Sequence, residues 1–307
     1  MSRFTDLDSE EVTRRCFLCD TATAIAGIAA MGASVVAQQV RAGDPKLVEE
    51  MKKVLEDPKI SHQIVTFQNG SESIQGFLAR PKAAKNAPAV VMIPGDFGLG
   101  DYLRVTVAQL AQSGFVGLGI DTFSRAATIT DLQQARRVYF DVMTDALTLQ
   151  DVQAAIGYLK QQSFVRKGGI GVVGFCLGGR YALLLAALSR DVAATVAFYG
   201  PVVLQKGEPD VRAARPLKML NHDMSPIDYV EWIKVPVQGH YSAKDETIPV
   251  SDVKRLESEL RRRSTPAELF IYDAASHFHS FHEPFYQPEA ARQSWERTIQ
   301  FFKQHLR

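Results

Sequence analysis

The sequence is poor in cysteine and carries almost no net charge. Of its three cysteines, Cys16 and Cys19 lie in the first forty residues, and Cys176 is the only one in the rest of the 307-residue chain. A lone thiol excludes an intramolecular disulfide there, so it is either buried and inert or reactive. Lys and Arg total 35 against 34 Asp and Glu. This balance gives no electrostatic reason to expect nucleic acid as a partner, and it favours a small, roughly neutral ligand.

A strongly apolar run long enough to span a membrane is also missing. Residues 21–37 carry no charge, but they are rich in Ala, Gly, Thr and Ser and fall short of the ~20 strongly apolar residues of a spanning helix. Arg14 and Arg15, followed by Phe and Leu, make the segment resemble a twin-arginine export signal; an uncleaved membrane anchor is the alternative. We expect residues 1–37 to be cleaved before Gln38, with the export machinery as a transient partner and a periplasmic mature protein.

Short apolar runs alternate with helical patterns over the rest of the chain, and 46% of the full sequence is hydrophobic. The predicted strands are 62–68, 73–79, 89–93, 116–120, 169–173, 194–199, 235–239 and 268–272. The predicted helices are 46–56, 102–112, 132–161, 177–188, 250–263 and 288–305. Asn69-Gly70 predicts a hairpin between the first two strands. Strands that alternate with helices predict an α/β fold, with a mostly parallel sheet and helices on both faces.

Three parts are predicted along the chain. The signal, residues 1–37, is followed by an N-terminal extension, residues 38–60, and by one catalytic domain, residues 61–307. Within that domain, residues 201–228 contain four prolines and several charges. They predict an irregular excursion over the sheet that shapes the pocket.

Cys176 lies in the motif Gly-x-Cys-x-Gly-Gly, between an apolar predicted strand and an Ala- and Leu-rich predicted helix. This is the context of a nucleophile elbow, with Cys in place of Ser. Glycines suit so tight a turn because they tolerate unusual backbone angles and leave room where strand and helix nearly touch. The positive end of the following helix favours a thiolate. An inert core cysteine is the usual interpretation of an isolated Cys, but the flanking pattern favours a nucleophile.

Two candidate partners for Cys176 follow the last predicted strands. After a nucleophile elbow, the acid and then the histidine come later in the chain. Asp245 follows the next-to-last predicted strand, where an Asp is also typical of a turn or helix cap. His277 follows the last strand and is the predicted base, able to take the thiol proton and return it to an alkoxide. His279 is its nearest competitor.

The same histidine-rich segment invites a metal hypothesis. His277, His279, His282 and Glu283 are zinc-ligand types, but they include no helical i, i+4 pair and come with no obvious fourth contribution. We therefore expect neither a metal nor another cofactor.

Several short motifs occur in a characteristic order along the chain. They are Phe-Gly-Leu at 97–99, Asp-Tyr-Leu-Arg at 101–104, Gly-Phe-Cys-Leu-Gly-Gly at 174–179, Phe-Tyr-Gly at 198–200, Lys-Asp at 244–245 and Ala-x-His at 275–277. With them, the sequence from about Ser61 to the C-terminus resembles the dienelactone hydrolase family of the α/β-hydrolase superfamily. The resemblance implies that Cys176, Asp245 and His277 form a triad. It also implies that the backbone N–H groups of Asp96 and Leu177 form an oxyanion hole.

One departure from the family's pattern concerns the segment before Phe97. Where members commonly carry His-Glu, with a glutamate that helps to control the ionisation of the cysteine, this sequence has Pro94 and Gly95. Asp96 either takes over that role or caps the following turn, so that only its N–H matters. The departure puts the dienelactone substrate itself in question. The family's carboxylate-binding arginine has no clear counterpart, because the alignment around Arg136 and Arg137 is ambiguous.

These observations predict a carboxymethylenebutenolidase-like hydrolase. It would cleave a small ester or lactone through a thioester formed on Cys176. Two alternatives stay open at this point. An acyltransferase or peptidase could use the same fold and triad, and a catalytically silent, exported binding protein could retain the pocket alone.

Overall fold

The computed structural model describes residues 45–95, 98–126, 143–204, 224–281 and 286–307. Within them, eight strands form one sheet. The strands are β1 (Ile60–Asn69), β2 (Glu72–Pro81), β3 (Ala89–Ile93), β4 (Val116–Ile120), β5 (Ile170–Phe175), β6 (Val192–Phe198), β7 (Val237–Lys244) and β8 (Ala267–Ala275). The α-helices are α1 (Pro45–Lys52), α2 (Asp101–Gln112), α3 (Asp145–Gln161), α4 (Leu177–Leu188), α5 (Val250–Arg262) and α6 (Pro288–His305). Short 3₁₀ helices lie at Lys53–Glu56, Ser124–Ala126 and Pro226–Trp232.

The sheet has the order β1-β2-β4-β3-β5-β6-β7-β8. The hairpin of β1 and β2 joins β4 in antiparallel fashion, and all pairings from β4 to β8 are parallel. Gly70 makes the hairpin turn with φ of 61°, a conformation that favours glycine. The parallel α/β architecture predicted from the sequence is confirmed. Its consequence for the site is that β5, β7 and β8 all end at the same edge of the sheet.

The core lies on both faces of the sheet. The side chains of β3 alternate between two apolar clusters: Val90 and Met92 belong to one, and Val91 and Ile93 to the other. Helices α2, α5 and α6 cover the first face, and α3 with much of α4 covers the second. All residues of β3, β4 and β5 are buried, as expected for central strands of a parallel sheet.

The predicted helix 132–161 is interrupted at residues 143 and 144, which are not helical, and its predicted start is not tested. Residues 127–142 lie outside the described part of the chain, and α3 begins only at Asp145. Thr144 is its N-cap, with extended backbone and a hydroxyl that accepts a hydrogen bond from the Leu147 N–H at 3.1 Å. Threonine stabilises a helix start in this way, and the apolar periodicity around it concealed the boundary.

Other differences concern the ends of elements. The predicted helix 46–56 divides into α1 and a 3₁₀ turn. Strand β7 runs five residues past its predicted end, to Lys244, and β8 runs three past its predicted end, to Ala275. Of the predicted excursion 201–228, residues 205–223 lie outside the described part, and the remainder includes the start of the 3₁₀ helix Pro226–Trp232. No helix within the described ranges is long and apolar enough to cross a membrane.

Candidate active site

Cys176 occupies the turn between β5 and α4, as predicted. It has φ of 55° and ψ of −122°, a backbone conformation that costs a non-glycine residue about 1–3 kcal/mol. Its amide donates a hydrogen bond of 2.9 Å to the carbonyl oxygen of Phe198, at the end of β6. The side chain is half-buried and forms no disulfide. The fold thus holds a strained cysteine at the carboxyl edge of the sheet.

Two glycines make this turn possible. A Cβ atom on Gly174 would lie 2.0 Å from the carbonyl oxygen of Gly178, and one on Gly178 would lie 2.3 Å from the carbonyl oxygen of Ile93. Both contacts are with backbone, which cannot move aside as a flexible side chain can. The spacing of glycines around Cys176 therefore reflects the approach of α4 to β3 and β5.

The first turn of α4 supplies backbone donors beside Cys176. The Leu177 N–H is one of the helix-initial donors that no helical carbonyl accepts, and the helix dipole places partial positive charge there. Asp96, the other predicted donor, lies outside the described residues. Gly95, which precedes it, approaches the cysteine directly, since a Cβ atom at that position would lie 3.1 Å from the Cβ of Cys176.

Asp245 follows the last residue of β7, and its two carboxylate oxygens differ. Oδ1 accepts hydrogen bonds from the Thr247 N–H (2.8 Å), the Thr247 hydroxyl (2.7 Å) and the Ile248 N–H (3.1 Å). Oδ2 is buried and has no hydrogen-bond partner in the described part of the chain. The residue therefore caps a turn, as the alternative interpretation proposed, and also presents an unused buried acceptor.

His277 lies two residues beyond β8. Lys244 pairs with Ala275, so the ends of β7 and β8, which carry Asp245 and His277, are adjacent. The imidazole is half-buried, and its Nδ1 lies 2.7 Å from the Ser276 hydroxyl. The structure does not bring His277 and Asp245 into a hydrogen bond. It places the two residues at neighbouring strand ends.

His279 is held differently from His277. It is only 7% exposed, its Nδ1 lies 2.7 Å from the Tyr102 hydroxyl, and its ring packs against Phe175, Phe198 and Trp295. Burial lowers the pKa of His279 to about 3. The imidazole is therefore neutral at physiological pH and belongs to the core under the site.

A buried ion pair supports the nucleophile helix. Arg180 is fully buried and forms a two-pronged pair with Asp145, which also accepts a hydrogen bond of 3.0 Å from the Tyr181 hydroxyl. Burial by itself would lower the pKa of Arg180, but hydrogen bonds to Asp145 outweigh it and raise this pKa. Met224 is tied to both charges, because its carbonyl accepts from Arg180 Nε and its N–H donates to Asp145, each at 2.9 Å. The pair links α4 to the first residue of α3 and to the backbone of Met224.

Sequence reasoning missed this pair and the contact between Tyr102 and His279. A signal existed for the first, because Arg180 is the one charged residue in the apolar helix α4, and a buried charge needs a partner. No local signal indicated the second.

The remaining sequence candidates fall largely outside the described residues. Arg136, Arg137, His282 and Glu283 all do so. Within the ranges that the structure describes, no group of three or more His, Cys, Asp or Glu side chains is arranged to hold a metal ion.

The sequence matches a known family over most of its length. The model of the dienelactone hydrolase family covers residues 74–306. A probable 2-oxo-3-(5-oxofuran-2-ylidene)propanoate lactonase of Bradyrhizobium is 34% identical over 247 residues, which are 79% of this chain and 94% of that protein. A putative carboxymethylenebutenolidase of Methylorubrum extorquens is 28% identical over 236 residues, 76% of this chain and 77% of the relative.

Solved structures agree with this match. A putative dienelactone hydrolase from Klebsiella pneumoniae superposes with a TM-score of 0.70 at 26% identity, over 80% of this chain and 99% of the other.

Proposed function

The chain belongs to the dienelactone hydrolase family and is an ester or lactone hydrolase, and we propose that it acts through Cys176, His277 and Asp245 by way of a thioester. The observation that carries the proposal is the backbone of Cys176. A strained cysteine at the N-terminus of α4, between a buried strand and a glycine-rich turn, is arranged as a nucleophile. An inert core cysteine would not require that strain.

In the proposed reaction, His277 takes the proton from Sγ of Cys176, and the thiolate attacks the carbonyl carbon of the substrate. The negative charge that develops on the carbonyl oxygen is stabilised by the N–H groups of Leu177 and Asp96. The C–O bond then breaks, and the imidazolium returns its proton to the leaving alkoxide. In the second half, His277 removes a proton from water, and hydroxide attacks the thioester carbonyl. The C–S bond breaks, the carboxylic acid leaves, and the imidazolium returns its proton to Sγ of Cys176.

Asp245 is proposed to orient His277. Support comes from Oδ2, a buried oxygen with no hydrogen-bond partner among the described residues. Such an oxygen costs free energy unless it accepts a hydrogen bond in some state of the enzyme. Hydrogen bonds at catalytic histidines are often loose without substrate. In the proposed active arrangement, the His277 ring turns from Ser276 toward Asp245, one ring nitrogen donates to Oδ2, and the other faces Cys176.

Two observations favour His277 over His279 as the base. His277 is half-buried at the strand ends, whereas the Nδ1 of His279 is engaged by Tyr102 in the aromatic core. The low pKa of His279, about 3, also makes it a poor acceptor of a thiol proton at neutral pH.

The proposed intermediate can be trapped directly. The enzyme is mixed with an activated aryl ester, quenched in acid within one turnover and digested for mass spectrometry. The expected result is an acyl group on the peptide that contains Cys176, removed by hydroxylamine as a thioester would be. The matched variant Cys176→Ala should carry none. Turnover without any acyl group on Cys176 would contradict the covalent mechanism.

The proposed substrate is a small lactone or ester. The two relatives above are named for lactone hydrolysis, and this supports a lactone. Pro94 and Gly95, however, stand where the family's histidine and glutamate are expected. Product analysis with added alcohols or amines separates hydrolysis from acyl transfer or peptide cleavage, because only a transferase forms the new ester or amide.

We also propose that residues 1–37, which lie outside the described residues, direct twin-arginine export to the periplasm. The test is cell fractionation of the full chain with Arg14 and Arg15 intact or both changed to Lys. Mature protein in the periplasm of wild-type cells only would support export. Equal distribution of both forms would contradict it.

A further inference from the structure

We infer that Ser276 is a positioning residue that competes with Asp245 for the proposed base, His277. In the resting protein it holds the imidazole in the tautomer that cannot take a proton from Cys176, and Asp245 must displace it before the reaction begins. The inference rests on the proposed function, because it concerns the base of that reaction. Ser276 is not argued to touch the substrate.

The Ser276 hydroxyl is the one hydrogen-bond partner of the His277 imidazole within the described part of the chain. Its Oγ lies 2.7 Å from Nδ1, and both side chains are half-buried. Oδ2 of Asp245, which the proposed mechanism pairs with a ring nitrogen of His277, is buried and has no hydrogen-bond partner among the same residues. Serine therefore engages the histidine, while the carboxylate oxygen proposed to bind it is unused.

The backbone on both sides of this contact is held by hydrogen bonds. The carbonyl of Ala275, which precedes Ser276, accepts a hydrogen bond of 2.7 Å from the Ser242 hydroxyl. His277 has φ of 59°, a left-handed conformation that is uncommon for residues other than glycine. Its carbonyl accepts a hydrogen bond of 3.0 Å from the Ser280 N–H. The contact between Ser276 and His277 therefore belongs to an ordered turn.

The two competing partners of Nδ1 select different tautomers of His277. A neutral imidazole carries one N–H proton, and the hydrogen bond at one nitrogen decides which nitrogen has it. A carboxylate can only accept, so Asp245 requires the proton on Nδ1 and leaves Nε2 free to take the thiol proton. A serine hydroxyl that donates to a bare Nδ1 places the proton on Nε2 instead. The nitrogen proposed to face Cys176 is then already protonated.

The Ser276 hydroxyl is the donor in this contact. It forms no other hydrogen bond in the part of the chain that the structure describes. Donation to Nδ1 is therefore the arrangement that gives its proton an acceptor, and a polar proton without one costs free energy where it is shielded from water. The observed arrangement is thus the resting form of the site. His277 becomes a base only after Asp245 has taken Nδ1.

Substitutions at residue 276 separate this competition from a merely structural role. Ser276→Ala leaves Asp245 without a competitor, so kcat for an aryl ester should rise about fivefold, the effect of one hydrogen bond, with KM little changed. Ser276→Thr keeps a hydroxyl at the position and should retain wild-type kcat. Ser242→Ala loses the hydrogen bond to the neighbouring Ala275 carbonyl but leaves Nδ1 engaged. It is the control for local loosening, and its kcat should not exceed that of wild type.

The double variant with Ser276→Ala and Asp245→Asn tests the competition itself. An amide nitrogen in place of Oδ2 cannot accept a hydrogen bond from Nδ1–H, so removal of the serine hydroxyl no longer helps. We expect Asp245→Asn to have the same kcat with and without Ser276→Ala. The gain from Ser276→Ala thus depends on Asp245, as is usual for two residues that act on one group.

The outcomes are distinct. The inference is overturned, while the proposed function stands, if kcat of Ser276→Ala equals or falls below that of wild type, or if its gain persists in the Asp245→Asn background. A gain in Ser276→Thr as large as that in Ser276→Ala would also overturn it, because the hydroxyl is still present. If wild type shows no hydrolysis that depends on Cys176, the proposed function fails, and the inference fails with it.

Discussion

Gly95 faces Cys176 so closely that a Cβ atom added to it would lie 3.1 Å from the Cβ of the cysteine and 3.9 Å from its Sγ. Cβ atoms are rarely this close, so a side chain at this position requires small shifts. The position is also the one at which the family's glutamate is expected. No side-chain carboxylate therefore faces the thiol from residue 95, and only the backbone of Gly95 approaches it.

A carboxylate introduced at residue 95 should slow the alkylation of the Cys176 thiol. In Gly95→Glu, a negative charge beside Sγ disfavours the thiolate, and the rate of alkylation by iodoacetamide at pH 7 should fall about tenfold or more. Gly95→Gln has the same shape without the charge and is the matched control for crowding. Equal alkylation rates in the two variants would show that charge at this position has no influence on Cys176.

The buried ion pair behind the elbow should be costly to break. Arg180→Met leaves the Asp145 carboxylate buried without its partner, which typically costs about 3–5 kcal/mol. The urea midpoint should fall accordingly. Arg180→Met combined with Asp145→Leu removes both charges and should recover part of this loss. If the double variant is less stable than Arg180→Met alone, the unpaired charge is not the cause.

Stability should fall in mild acid because of two buried histidines. Burial lowers the pKa of His240 well below its usual range and that of His279 to about 3. Below about pH 6.5, both histidines are protonated in the unfolded chain and neutral in the folded protein. Each therefore lowers the free energy of unfolding by about 1.4 kcal/mol for each pH unit below 6.5. Asp121 opposes this trend. Burial raises its pKa to about 6, so its contribution is present at low pH and is lost as the pH rises through 6.

The histidine effect can be isolated by comparing His279→Phe with wild type. The free energy of unfolding of each is measured from pH 7 to pH 4. As the pH falls below 6.5, the free energy of unfolding of the variant relative to that of wild type should rise by about 1.4 kcal/mol per pH unit. A difference that does not change with pH would mean that His279 takes up its proton in the folded state.

Asp245→Asn tests whether the second carboxylate oxygen matters. The amide oxygen can still accept from Thr247 and Ile248, so the turn and the stability should be kept. The amide nitrogen that replaces Oδ2 cannot accept a hydrogen bond from the imidazole N–H. We therefore expect kcat to fall about 100-fold or more. Thr247→Val, which removes only a hydrogen bond to Oδ1, is the control. A fully active Asn variant would reduce Asp245 to a turn cap.

The local parts of the site could be predicted from the sequence. The elbow depends on an apolar strand, two glycines and a helix within about twenty residues, and the bounds predicted for α4 agree with the structure. The candidates Asp245 and His277 also follow from local pattern, because each lies on the loop that follows a strand. Strand ends were the weakest point: β7 continues to Lys244 through polar residues that alternate poorly.

The contacts between distant residues could not be predicted. Arg180 and Asp145 are 35 positions apart, and Tyr102 and His279 are 177 apart. Neither pair has a periodicity that marks it. Which polar groups meet in the core depends on how distant strands and helices pack together, and the local sequence pattern does not contain this.

The central claim is that Cys176 carries the reaction, and the most direct test is hydrolysis of small aryl esters and lactones by wild type, Cys176→Ser and Cys176→Ala. We expect activity to be lost in the Ala variant and strongly reduced in the Ser variant, while both variants remain folded. Unchanged hydrolysis in Cys176→Ala would contradict the account, because the reaction would then occur without its nucleophile.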